Sequence, residues 1–323
     1  MGFNMSLIIA IVIALGLDYW LGEPKRLHPL VGFGSFADGL EKWLNSAQGL
    51  LAKQNDTLLK CKGILALTLA IGPLGFAAYS IEQTFVANDF LSTLLAGVVL
   101  YVAIGWRSLI EHAKAISIPL YKGDLTTAQV AVSRIVSRDT QDLNEQEIAK
   151  AATESVLENG ADALFAALFW FIVAGIPGVV IYRLSNTLDA MWGYKNSRFL
   201  HFGWAAARFD DLLNFIPARL TALAYTLCGS MNGQTQNAWQ SWRQQAGTWK
   251  SPNAGPVMAA GAGAIGVELG GSANYHGQNQ HRPVLGSGSA PMAASIDDAC
   301  DLVNNSLVLW LAVICLLAFM GIV

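Results

Sequence analysis

Charge is what this sequence has least of. Asp, Glu, Lys and Arg make up 13% of its 323 residues, against roughly 25% in an average soluble domain. With 53% hydrophobic residues and a mean hydropathy of +0.40, that shortage argues against an ordinary water-soluble globule and for several membrane segments. A net charge of -3 supplies no basic field, so no nucleic-acid partner is expected. Cysteine is scarce as well. Cys61, Cys228, Cys300 and Cys315 form no C-x-x-C pair, which argues against a cysteine zinc site or a thioredoxin-like motif. Most lie in or beside apolar runs, where an inert buried thiol is the ordinary reading. No Lys or Arg precedes the run Met5–Leu17, and the first positive charge is Lys25, so this run reads as a retained membrane segment rather than a cleavable signal. P-loop and H-E-x-x-H motifs are absent, as are internal repeats and any long strand pattern. Gly261-Ala262-Gly263-Ala264-Ile265-Gly266 fits G-x-G-x-x-G. With no strand before it and no βαβ unit around it, the motif reads as close helix packing or backbone approach to a ligand.

What is present is a series of apolar stretches. A spanning helix needs about 20 mostly apolar residues. The candidates are 5–21, 63–82, 90–106, 163–182, 212–229 and 305–323. The expected fold is therefore all-α, a polytopic integral membrane helical bundle with cytoplasmic helices and loops, in one membrane-embedded domain over 1–323. Lys and Arg number six in 18–62, none in 83–89 and six in 107–162. The positive-inside rule puts 18–62 and the helical insert 107–162 in the cytoplasm. A full span at 163–182 would then expose Arg183, Lys195, Arg198 and Arg208 outside. The break Gly175-Ile176-Pro177-Gly178 offers a re-entrant hairpin instead, tolerated where bent backbone is buried in protein. Asp124 is expected to cap a helix running to about Arg138, and Asn144 with Glu147 to form a capping box. Region 231–304, rich in Gly, Ser, Asn and Pro, reads as polar loop with short helices.

Several constellations carry chemistry. Glu154, Glu158 and Asp162 stand at i, i+4 and i+8, one helical face of mutually repelling carboxylates. A metal ion or arginines would relieve the repulsion; a solvated acidic face is the plain alternative. Arg134 and Arg138, also i, i+4, suit phosphate or local pairing with Asp139. Arg219 sits in an apolar segment, eight residues after Asp211 and near Asp210. An arginine at membrane depth is a functional candidate whose expected partners are carboxylates. Asp210 and Asp211 are also suited to Mg²⁺, which takes a few carboxylates plus phosphate oxygens and water. A structural Arg–Asp pair is the alternative. His28 precedes Pro29, and His276 and His281 lie in a polar loop. A lone histidine is more often structural than catalytic.

Taken together these stretches resemble the CbiB/CobD family of cobalamin biosynthesis. The likeness begins at Leu17-Asp18, Leu21-Gly22-Glu23-Pro24 and His28-Pro29. It continues through Arg107 and His112, Ser133-Arg134-Ile135-Val136-Ser137-Arg138-Asp139-Thr140, Glu154-Ser155 and Glu158-Asn159. Asn186-Thr187-Leu188-Asp189 and Gly193-Tyr194-Lys195-Asn196 follow. The most specific blocks are Phe202-Gly203-Trp204-Ala205-Ala206-Ala207-Arg208, Asp210-Asp211-Leu212-Leu213-Asn214, Ile216-Pro217-Ala218-Arg219-Leu220 and Ser251-Pro252-Asn253-Ala254-Gly255. The chain departs from the family pattern at Gly160, Ala163, Ala167 and Pro256, where Thr, Gly, Pro and Trp are common.

The resemblance implies an ATP-dependent amide-forming ligase, an adenosylcobinamide-phosphate synthase. It joins adenosylcobyric acid to (R)-1-amino-2-propanol phosphate or ethanolamine phosphate. The corrinoid is then a substrate rather than a cofactor, and ATP and Mg²⁺ are expected. The implied setting is the bacterial inner membrane, in contact with lipid, with the active site on the cytoplasmic face. A homo-oligomer or association with neighbouring pathway enzymes is compatible with it. Roles within the blocks follow from side-chain chemistry. Asp210, Asp211, Arg208 and Arg219 are the expected catalytic group. Arg134, Arg138, Lys195, Asn186, Asp189, Asn214, Ser251, Asn253 and His28 are expected to bind substrate or phosphate. Glu154, Glu158, Asp210 and Asp211 are the expected metal ligands. The alternatives are a non-catalytic membrane sensor like AmpE, which should lack the dense Asp-Asp, Arg and Ser-Pro-Asn blocks, and a corrinoid transporter, which would suit the broken helix and intramembrane arginine.

Overall fold

The computed structural model describes residues 2–24, 28–45, 55–136, 138–275 and 278–322. Lys25, Ser137 and His276, named above, fall outside them. In chain order the elements are α1 (Gly2–Leu21), α2 (Pro29–Leu44), α3 (Asp56–Phe85), α4 (Asp89–Ala103), α5 (Trp106–Tyr121), α6 (Leu125–Val132) and α7 (Glu145–Gly160). A π-helical turn (Ala161–Phe165) leads into α8 (Ala166–Trp192). Then come α9 (Trp204–Cys228), α10 (Thr235–Gln245), α11 (Ala254–Ile265), β1 (Leu269–Tyr275), β2 (Gln278–Leu285) and α12 (Ala293–Phe319). The protein is an all-α polytopic membrane helical protein. Among the described residues four helical runs are long and apolar enough to cross a membrane: Asp56–Phe85, Asp89–Tyr121, Glu145–Trp192 and Ala293–Phe319. Met5–Leu21 is a shorter apolar helix.

The chain divides into two compact units. One comprises Met1–Gly105 with Ala166–Asn214, the other Trp106–Phe165 with Phe215–Ile322.

In the first unit α1 packs on α4, and α8 on α3 and α4. The inward residues of α3 are mostly small, Gly63, Ala66, Ala70, Gly75 and Ala78, with Ile71 the one large side chain among them. Its large residues Ile64, Leu65, Leu69 and Phe76 are exposed. That is the reverse of a soluble amphipathic helix and fits a lipid-facing one, where small residues let backbones approach. A Cβ on Gly97 of α4 would lie 2.7 Å from the Ile13 side chain, so α1 and α4 touch through glycine.

The break expected near Gly175 is present. Gly175 has φ 59°, ψ -147°, and Ala174 is also non-helical. A Cβ on Gly178 would contact the Trp170 carbonyl, although residues eight apart in a straight helix are about 12 Å apart. The chain therefore doubles back here. The second limb starts with unsatisfied amides, and Glu82 of α3 answers one: Ile176 N–H donates to its carboxylate at 3.0 Å. Gly175→Ala should lower the apparent melting temperature markedly, because it places a methyl on Glu82 and forces positive φ on alanine. We expect a cost of about 1–3 kcal/mol, measured as loss of monodispersity on heating in detergent.

In the second unit α7 packs on α5, α11 and α12, and α10 lies against α11. Helix α11 is buried along its whole length from Ala254 to Ala264, which explains a Gly/Ala composition with no polar face. Its glycines are contact points: a Cβ on Gly261 would press Leu157 at 2.8 Å, and one on Gly263 the Ala238 backbone at 2.7 Å. The G-x-G-x-x-G run is thus a packing feature here.

Three local expectations change. Asp124 caps α6 through Thr127 N–H at 3.0 Å, but the helix stops at Val132. The Ser133 hydroxyl turns back onto the Val130 carbonyl at 2.8 Å, and the Ile135 and Val136 amides both bond to Val132 O. Arg134 and Arg138 therefore share no helix face. Region 231–304 is more ordered than its composition suggests, holding α10, α11 and an antiparallel hairpin of β1 and β2 with a bulge at Gly270/Gly271. The final helix starts at Ala293 rather than near 305. The capping box at α7 forms as expected, with both Asn144–Glu147 bonds at 2.9 Å.

Candidate active site

Each unit holds a polar cluster built around residues singled out in the sequence. In the first, the end of α8 and the first half of α9 supply Tyr182, Asn186, Asp189, Asp210, Asp211 and Asn214. Spacings of three and four turn Tyr182, Asn186 and Asp189 to one face of α8, and bring Asp210 over Asn214 on α9. The Tyr182 hydroxyl donates to Asn214 Oδ1 at 3.1 Å, and Asn214 Nδ2 donates to Asp210 Oδ2 at 2.9 Å. This line fixes one oxygen of a buried aspartate. The other, Asp210 Oδ1, is buried without a hydrogen-bond partner. Such an atom is costly unless something binds it.

The electrostatics agree. Burial pushes the Asp210 carboxyl up to about 7, the Asp189 carboxylate adds to the rise, and the side chains of Asn214 and Asn186 oppose it. Burial also raises Asp211, against the pull of Arg208 and Lys195. Arg208 Nη1 is 3.6 Å from Asp211 Oδ2 and is largely exposed. Lys195 is exposed too. Asp189 packs so tightly on Gly193 that a Cβ there would overlap its carboxylate. Crowded carboxylates like these either share a proton or hold a cation. Among the described residues no three His, Cys, Asp or Glu side chains form a ready metal cage. The Mg²⁺ arrangement that uses few carboxylates and completes its shell with phosphate oxygens and water still fits, with Asp210 Oδ1 as the open ligand.

The second unit centres on Glu154. Its carboxylate accepts from Arg138 Nη2 at 3.2 Å, from Arg282 Nη1 and Nη2 at 3.0 Å each, and from Gly270 N–H at 2.8 Å. Four donors fill this group, so arginines, not a metal, relieve the acidic stripe at Glu154. The bonds tie the hairpin to α7, and Arg282 also lies 5.4 Å from the Trp249 ring centroid. Arg219 is likewise committed. It donates to Phe215 O, Asn253 Oδ1 and Pro252 O at 2.9, 2.8 and 2.9 Å, with its guanidinium over the Phe215 ring at 3.6 Å. Its observed partners are a carbonyl-rich turn rather than the carboxylates expected from sequence. Ser251 Oγ accepts from Asn253 and Ala254 N–H at 3.3 and 3.1 Å, shaping the same turn. Arg134 is exposed on the turn after α6.

His28 caps α2, its Nδ1 accepting from Leu30 N–H at 3.2 Å. Asp210, Asp211, Asp189, Asn186, Asn214, Lys195 and Arg208 thus gather in one unit. Glu154, Glu158, Arg134, Arg138, Arg219, Ser251 and Asn253 belong to the other. Sequence reasoning missed Arg282, whose partner is 128 residues away, and Tyr182, hidden in an apolar run. No spacing signal marks either. Arg183 stood out only as a charge on the wrong side of the membrane.

A family model described as CobD/Cbib protein matches residues 11–303, which takes in every residue of the two clusters. This chain belongs to the CobD/CbiB family. Among CobD/CbiB relatives, the cobalamin biosynthesis protein CobD of Stutzerimonas stutzeri (strain A1501) is 54% identical over 310 residues, covering 96% of this chain and 97% of its own. That of Chromobacterium violaceum is 51% identical over 308 residues, covering 95% and 96%. That of Geobacter metallireducens is 40% identical over 292 residues, covering 88% of each. No solved structure matches.

Proposed function

We propose that this protein is an ATP-dependent amide-forming ligase of cobalamin biosynthesis. It would join adenosylcobyric acid to (R)-1-amino-2-propanol phosphate, or to ethanolamine phosphate, giving adenosylcobinamide phosphate. The observation that carries this reading is the Asp189–Asp210–Asp211 group, with one buried carboxylate oxygen left open, in a membrane chain of this family.

A carboxylate is a poor acyl donor. In the proposed reaction the corrinoid carboxylate oxygen attacks the γ-phosphorus of ATP, and ADP leaves. The amine then attacks the acyl carbon, loses a proton, and phosphate departs. Mg²⁺, when held by Asp210 and Asp211 with Asp189 beside them, would neutralise charge on the phosphoryl oxygens. Asn214 and Tyr182 keep Asp210 in one orientation, so its free oxygen is pre-aimed. Lys195 and Arg208, exposed beside Asp211, would meet phosphate oxygens. Arg138, Arg282 and Arg219 serve the scaffold of their own unit. The proposed setting is the inner membrane, with the site opening to the cytoplasm, where ATP is found.

The test uses detergent-solubilised protein and follows ADP release. Release should require both the corrinoid and the amino-alcohol phosphate. Asp211→Asn should cut it at least a hundredfold while the protein still inserts in the membrane; wild-type turnover in that variant removes Asp211 from the site. Corrinoid uptake by sealed vesicles without ADP release or product would replace the ligase with a transporter.

A further inference from the structure

The apolar run that forms α8 contains one charged group the proposed mechanism does not use. Arg183 lies on the second limb of the helical hairpin, seven residues beyond Ile176. Its Nε is buried without a hydrogen-bond partner. Its Nη1 makes one long bond, to Asn186 Oδ1 at 3.3 Å. Among the described residues no carboxylate lies within ion-pair distance of the guanidinium. This contrasts with Arg138, Arg198 and Arg282, each of which meets a buried glutamate. An arginine in an apolar helix with no counter-charge is expensive to keep. The cost falls when an anion arrives, because the planar fork offers two parallel donors matched to an oxyanion.

Its neighbour supplies the direction. Asn186, which accepts from Arg183, also reaches Asp210 through its side chain. One amide therefore links the uncompensated cation to the carboxylate with the open oxygen. Asp189 and Asp211 crowd negative charge around Asp210, which Asn186 reaches, while Arg183 on the same amide makes no ion pair among the described residues.

We propose that Arg183 is an oxyanion-binding residue of this site and receives a phosphate or carboxylate group of a reactant. The proposal rests on the ligase reading for the identity of that reactant, but not for the existence of the site. The guanidinium holds the anion through Nε and the Nη free of Asn186. Asn186 keeps the fork from swinging onto the aspartates, which would quench both groups.

The first arm is equilibrium binding, read without turnover. Inorganic phosphate, (R)-1-amino-2-propanol phosphate and adenosylcobyric acid are each added to purified protein in detergent, and the apparent melting temperature is followed. At least one should raise it in wild type, and Arg183→Gln should abolish that rise. Arg183→Lys keeps the charge without the fork and should bind at least tenfold more weakly. It also serves as the reading if the glutamine variant fails to fold. Which compound loses its effect tells phosphate from carboxylate. The second arm is kinetic: KM for that same reactant should rise at least tenfold in Arg183→Lys, with KM for the others unchanged. The proposal is overturned if no compound shifts the wild type, or if the substituted proteins keep the wild-type shift. If no product ever forms but the shift still depends on Arg183, the ligase reading fails and the anion site stands.

Discussion

Asp210→Asn is expected to lower ligase turnover at least a hundredfold while raising the apparent melting temperature of the protein in EDTA at pH 8. The two effects share one cause. Burial and the neighbouring Asp189 carboxylate make the charged form of Asp210 costly, and only a bound cation or proton removes that cost. Asparagine can keep the carbonyl that accepts from Asn214 and loses the charge. Stability rises, and the ligand position is lost. The pH dependence has a definite sign. Asp210 titrates near 3.8 when unfolded and about 7 when folded, so between those values the native state binds more protons. Stability then falls as pH rises through the window and is best below it. The variant should show a flatter profile, and Mg²⁺ should stabilise the wild type more than the variant. A melt series from pH 4.5 to 8, with and without the metal, checks all of this. Equal slopes for the two proteins would remove Asp210 as the source of strain.

Glu154→Gln is expected to do the opposite, collapsing the second unit without touching the proposed chemistry directly. Arg138 and Arg282 both reach the Glu154 carboxylate, and Gly270 N–H depends on it as well. Glutamine retains one acceptor oxygen and introduces two donors facing two guanidinium groups. Breaking a buried ion pair from one side costs about 3–5 kcal/mol, because the remaining charge stays buried. Here two cations are left, so the upper end applies. The measurement is limited proteolysis of the hairpin over Leu269–Leu285 in detergent, with size-exclusion recovery. Rapid cleavage there and poor recovery are expected. A simultaneous Arg138→Met change should recover part of the loss, since it removes one of the stranded charges.

How much of this was legible beforehand differs by feature. The apolar segments at 63–82, 90–106 and 305–323 stand out because lipid asks for about 20 consecutive apolar residues, a signal that needs no partner to read. The capping box at Asn144 and the break at Gly175 are equally local. What could not be read is pairing at a distance. Nothing in the spacing of Arg282 announces Glu154, and nothing in the apolar run around Tyr182 announces Asn214. The hairpin escaped notice because Gly270, Gly271, Ser272, Asn274 and the glutamines of β2 carry no alternation of apolar and polar residues. Arg219 shows the limit of a rule applied without its surroundings. Intramembrane depth suggested carboxylate partners, whereas three acceptors on Phe215, Pro252 and Asn253 satisfy it. The aspartate group was better signposted, since Asp210 and Asp211 are adjacent. Its decisive feature, the unpartnered oxygen, appears only in three dimensions.

The most direct test weighs the corrinoid. Purified protein in detergent is incubated with adenosylcobyric acid, (R)-1-amino-2-propanol phosphate, ATP and Mg²⁺, and the corrinoid fraction is taken to mass spectrometry. The account predicts a species heavier by the amino-alcohol phosphate less one water, formed by the wild type and essentially absent with Asp210→Asn. Recovery of unchanged adenosylcobyric acid from folded wild-type protein, with every reactant present, would contradict it.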